Sequence, residues 1–115
     1  MTARNYVPYR GTEASSAVHR VLNVLLSEGE ARYVVETENV SVAGLSLRSE
    51  KVFPVGTQLH LVLGRPPELP PLIAEGIVRW SEGGKRVGVE FTSISPDDRL
   101  ALLRFLSSPS RWKQA

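Results

Sequence analysis

Ile73-Ala74-Glu75-Gly76-Ile77-Val78-Arg79-Trp80 and Val87-Gly88-Val89-Glu90-Phe91 are joined across Ser81-Glu82-Gly83-Gly84-Lys85, and Ser95-Pro96-Asp97-Asp98 follows closely. The two runs are rich in β-branched residues and flank a glycine-bearing turn, so they read as a strand hairpin. Period-two geometry sends Val87, Val89 and Phe91 to one face and Gly88 and Glu90 to the other. Trp80, on the first strand, reads as core packing. After the hairpin, Ser95 suits an N-cap, Pro96 the first helical position, and Asp98 the close of a Ser-x-x-Asp capping box. Asp97 and Asp98 also sit at the positive end of the helix dipole, which explains them better than an acid–base pair would. A helix over about 95–107 follows, ended by Ser107-Ser108-Pro109. Leu100, Leu103 and Leu106, with Leu102 and Phe105, form the stripe expected to pack on the sheet.

Upstream of this hairpin, further strand signals recur at short spacing. Val21–Leu26 is closed by Ser27-Glu28-Gly29-Glu30, and Arg32–Glu38 carries Val34, Val35 and Thr37. A break at Val42-Ala43-Gly44 precedes the alternating Leu45-Ser46-Leu47-Arg48. Phe53-Pro54-Val55-Gly56 is a turn, and Leu59, Leu61 and Leu63 then share one face of a strand whose other face holds His60. Arg65–Pro71 contains four prolines and is expected to be a loop. Six short strands in mostly hairpin order, then one helix, describe a mainly β protein: a six-stranded antiparallel barrel with a C-terminal helix as plug or lid. Residues 1–16 lack apolar periodicity and read as an N-terminal arm, 17–108 as the barrel domain, and 109–115 as a tail.

Composition narrows the chemistry. The 115 residues are 42% hydrophobic and 23% charged, enough for one core and too few for two. There is no cysteine, which removes thiolate nucleophiles, disulfides and cysteine-ligated metal. Two histidines, His19 and His60, leave little for a metal centre or for acid–base catalysis. Neither a phosphate-binding glycine loop with its lysine, nor His-Glu-x-x-His, nor Gly-x-Ser-x-Gly occurs. An enzyme is not expected, nor a cofactor or metal. The net charge of +2 and the few aromatic residues argue against a nucleic-acid-binding barrel. Without an apolar run near the ~20 residues of a membrane span, or a signal-peptide pattern, a cytoplasmic protein is expected.

One constellation stands out. Asn39-Val40-Ser41-Val42-Ala43-Gly44 ends the second strand. Asn39 and Ser41, two apart, face the same way in an extended segment, and Gly44 lets a backbone or ligand come close. An amide, a hydroxyl and a glycine turn suit a base edge and a phosphate. On these residues alone, an Asx- or Ser-stabilised turn between strands is the better account of the segment and needs no ligand.

Asn39-x-Ser41-x-x-Gly44 resembles the (D/N)-x-S-x-x-G signature of PilZ domains, bacterial receptors and adaptors for cyclic di-GMP. The resemblance extends through Gly44-Leu45-Ser46-Leu47, Phe53-Pro54-Val55-Gly56, Gly76-Ile77-Val78-Arg79-Trp80, Val87-Gly88-Val89-Glu90-Phe91-Thr92 and the helix from Ser95. It implies a six-stranded barrel with a C-terminal helix, in agreement with the strand count. It also implies a ligand site in which a pair of arginines, R-x-x-x-R just before the first strand, joins the signature. Here Arg20 stands in the second place and Ser16 in the first. Of the chain's arginines no two are four apart, so no shifted register restores the pair.

The resemblance therefore implies one of two functions. The first is a non-enzymatic regulatory adaptor acting through protein partners, with cyclic di-GMP binding weakened or lost at Ser16. The second is a working cyclic di-GMP receptor in which Arg20, Asn39, Ser41 and Gly44 form the pocket and Arg10 or Arg4 substitutes for the absent arginine.

Overall fold

The computed structural model describes residues 18–107. The expected arm at 1–16 and tail at 109–115, and with them Arg4, Arg10 and Ser16, lie outside the described residues. The strands are β1 (Val18–His19), β2 (Asn23–Glu28), β3 (Ala31–Val40), β4 (Gly44–Arg48), β5 (Gln58–Arg65), β6 (Leu69–Glu82) and β7 (Arg86–Ile94); one helix, α1 (Pro96–Ser107), follows.

Every strand pairing is antiparallel, in the order β3-β2-β5-β6-β7-β4, and β4 pairs again with β3. That last pairing closes a six-stranded barrel. The two-residue β1 lies on β3 beyond the end of β2, with His19 opposite Asn39 and Asn23 opposite Glu36. Four steps on one chain thus face three on the other, so β1 and β2 are one strand interrupted by a bulge at Arg20–Leu22. The first strand accordingly begins earlier than the expected Val21, and breaks where the expected run starts.

Alternation builds the interior. Val24 and Leu26 of β2, Leu45 and Leu47 of β4, Leu59, Leu61 and Leu63 of β5, and Val87 and Val89 of β7 are all buried in one cluster, with Phe53 its largest fully buried side chain. The turn glycines Gly29 and Gly84 have φ of 60° and 75°, the left-handed region that the β2–β3 and β6–β7 turns require.

Two expectations are corrected. Pro70 and Pro71 belong to β6 rather than to a loop ending at Pro71. The β5–β6 ladder is irregular there, with Leu63 opposite Leu72 but Arg65 opposite Leu69, and both prolines are exposed. A bulged strand end is where a residue without an N–H is tolerated. On α1 the buried residues are Leu102 and Phe105, whereas Leu100 and Leu103 are 44% and 47% exposed. The helix is oriented by its start. Ser95 Oγ accepts the N–H of Asp98 (3.1 Å), as an N-cap should, but the Asp98 carboxylate accepts the N–H of Ile73 on β6 (3.1 Å). Pinning Asp98 to β6 turns Ala101, Leu102 and Phe105 inward and leaves Leu100 and Leu103 on the far side.

Candidate functional site

The strand bulge at Arg20–Leu22 is held by Thr37, a buried hydroxyl on β3. Its Oγ1 accepts the N–H of Leu22 (2.8 Å) and donates to the carbonyl of Arg20 (2.6 Å), while its own N–H donates to Leu22 O (3.0 Å). These bonds replace the ladder contacts that the bulge forfeits. They also fix the backbone of Arg20, whose half-buried side chain places Nη1 3.1 Å from His19 O. Thr37 was legible as a β-branched strand residue; its burial and its role as a clamp were not.

Asn39 stands across from His19 on one side and Ser46 on the other, and its N–H donates to Ser46 Oγ (3.2 Å). The β3–β4 register slips between Thr37 and Asn39, so the extra residue Glu38 and Asn39 both lie on the outside of the barrel while Val40 returns to the core. Ser41 does not share that open face. It has left the strand and is only 1% exposed. Its Oγ accepts the N–H groups of Ala43 (3.0 Å) and Gly44 (3.2 Å) and lies 3.4 Å from Gly44 O, which accepts the Ser41 N–H at 2.8 Å. A hydroxyl has one proton and two lone pairs, and all are used inside this turn. Gly44 has a comparable task. A Cβ there would meet Val89 O at 2.3 Å, so the backbone it admits is that of β7, where Phe91 N–H reaches Ala43 O (2.9 Å).

Register extends this neighbourhood across the sheet. His19, Asn39, Ser46, Gly88 and Trp80 form one continuous cross-strand row on β1, β3, β4, β7 and β6. Trp80 is not in the core. A bulge at Arg79, between the pairs Val78–Val89 and Trp80–Gly88, reverses its facing and brings the indole outside, half-buried against Gly88. A Cβ on Gly88 would lie 2.0 Å from Trp80 Nε1, so the glycine is the seat of the ring. A lone glycine within a strong strand run was the available signal for this close approach. The bulge that places the tryptophan there leaves none.

The next row, Glu36, Arg48, Arg86 and Glu82, is charged. Glu38 reaches into it, 2.9 Å from Arg86 and 3.8 Å from Arg48, and Glu82 lies 2.9 Å from Arg86. Hydrogen bonds donated to Glu38 first and to Glu82 second raise the pKa of the Arg86 guanidinium above its ordinary value. Around Asn39, then, the three arginines Arg20, Arg48 and Arg86 face the three glutamates Glu36, Glu38 and Glu82. Elsewhere, His60 is half-exposed with Nδ1 2.6 Å from Glu75, as a structural surface histidine. A concavity of about 430 Å³ beside Tyr33, Arg48 and Lys51 includes none of Arg20, Asn39, Ser41 and Gly44. Among the described residues no three His, Asp or Glu side chains gather as metal ligands, and no helix is long and apolar enough to cross a membrane.

The closed barrel, the helix at its end and the Asn39–Gly44 turn coincide with a family model, that of the PilZ domain, which matches residues 9–108. The chain belongs to the PilZ domain family. Solved structures share this PilZ fold. The Bacillus subtilis inhibitor of motility MotI/DgrA superposes with a TM-score of 0.70 at 23% identity, over 78% of this chain and 47% of that one. The PilZ domain of CeSA from a cellulose-synthesizing bacterium gives 0.60 at 14% identity, over 80% and 95%. A pathogenic protein from Xanthomonas campestris, described as a tetrameric PilZ domain self-assembled via a helical bundle, gives 0.50 at 22% identity, over 75% and 50%. This chain thus spans about half the length of MotI/DgrA and of the Xanthomonas protein. No curated protein matches the sequence.

Proposed function

We propose that this PilZ domain is a non-enzymatic regulatory adaptor that acts by contact with other proteins, and that its recognition of cyclic di-GMP is weakened or lost. The observation that carries the reading is the absence of the first motif arginine, with Ser16 in its place. The geometry around Asn39 supports it. Ser41 and Gly44 are committed to the turn and to β7, which leaves Arg20 and Asn39 as the motif side chains that can meet a ligand. The balance of three arginines and three glutamates supplies no net attraction for a dianion. A bidentate arginine–guanine contact contributes roughly 1–3 kcal/mol, so its loss weakens binding by about tenfold to a hundredfold. Serine offers neither the charge nor the planar fork. Calorimetric titration of the full chain with cyclic di-GMP tests this: weak or undetectable heat is expected, and tight stoichiometric binding abolished by Arg20→Ala overturns it.

A second reading, a working receptor, has one observation in its favour. Asn39 belongs to the row that ends in Trp80 and Arg20 follows its first member, His19; an indole is a stacking platform for a purine, an interaction of about 1–3 kcal/mol per base. On that reading Arg10 or Arg4 completes the site. Deletion of the first sixteen residues would then abolish binding, and unchanged affinity after the deletion rules that reading out.

A further inference from the structure

On β3 the alternation turns Arg32, Val34 and Glu36 outward, all exposed, with Val34 at 80% the most exposed of the large apolar residues described. Beside it in register on β2 is Leu25, 40% exposed, flanked on its own strand by Asn23 and Ser27. An apolar pair thus lies between a row holding Arg32 and Ser27 and a row holding Glu36 and Asn23. Of the other charged groups nearby, Glu38, Arg48 and Arg86 pair with one another, while Glu50 and Lys51 border the concavity on the far side of Glu36 from Leu25. Arg32 and Glu36 form no ion pair with any described residue.

We propose that this face is where two copies of the chain meet, β3 crossing β3 in antiparallel sense about a two-fold axis along the Val34–Leu25 row. The order basic, apolar, acidic along one strand is its own complement when reversed. Each end charge lies two residues, about 6.7 Å, from Val34. An isologous contact centred on Val34 therefore stacks Val34 on Val34 and sets each Arg32 against the Glu36 of the second copy, twice. On β2 the same axis sets Leu25 on Leu25 and the Ser27 hydroxyl against the Asn23 amide. A parallel arrangement would oppose like charges, so the pattern selects both the partner and its orientation. The row continues through Val62 to Ile73, but the barrel curves away there, and the contact stays at the small end of specific interfaces. A weak dimer follows, to be sought at protein concentrations of about 10 μM to 1 mM. It stands whether or not cyclic di-GMP binds.

Sedimentation of the full chain over a concentration series tests this. The wild type is expected to dimerise in that range, and Val34→Lys, Arg32→Glu and Glu36→Arg each to weaken the dimer at least about tenfold while cooperative thermal unfolding is retained. An equimolar mixture of Arg32→Glu and Glu36→Arg then restores association, because the heterodimer regains both opposite-charge contacts. A wild type still monomeric at about 1 mM, whatever else covers Val34, overturns the proposal, as does a dimer insensitive to these changes or a mixture that stays monomeric.

Discussion

At the scale of single residues, the family signature divides into groups that build the loop and groups that face outward. The Ser41 hydroxyl is saturated within its turn, so Ser41→Ala should act first on stability, lowering it by about 1–3 kcal/mol in urea denaturation. Gly44→Ala drives a methyl into Val89 O at 2.3 Å, backbone that cannot swing aside, and should cost about 1–3 kcal/mol by the same measurement. Thr37→Val keeps the shape but strips two buried hydrogen bonds from the bulge, with a loss of similar size. Asn39, Ser41 and Gly44 were legible as a unit from their spacing alone. That Asn39 and Ser41 do not share a face was not, because period two holds only while the strand continues, and β3 ends at Val40.

At the scale of elements, the strands of the barrel were readable and their irregularities were not. Leu59-x-Leu61-x-Leu63 and Val87-x-Val89 declare their inner faces by alternation, and the structure buries them all. A bulge changes facing by a single residue without altering composition, so the outward Trp80 and the break at Arg20–Leu22 left no mark in the pattern. The helix shows the same limit. Its cap was legible at Ser95-Pro96, but its rotation depends on where the Asp98 carboxylate finds a donor, and that donor is Ile73 N–H from a distant strand. Leu102→Ala should therefore destabilise by about 2–5 kcal/mol, whereas Leu100→Ala and Leu103→Ala should each cost well under half of that. Equal costs at all three positions would show that the stripe packs as its sequence alone implies.

At the scale of the whole molecule, a barrel closed by β3–β4 pairing brings Arg20, Asn39 and Trp80, far apart in sequence, onto one outer surface. Closure removes the free sheet edges and leaves the strand faces as the surfaces available for recognition. The charge around Asn39 cancels, and on the function proposed above Ser16 stands where the motif has its first arginine. The most direct test is a paired calorimetric titration of the wild type and Ser16→Arg with cyclic di-GMP. Restoration of the arginine pair is predicted to tighten binding by about tenfold to a hundredfold over a weak or undetectable wild type. Tight wild-type binding that Ser16→Arg leaves unchanged and Arg20→Ala abolishes would contradict the account.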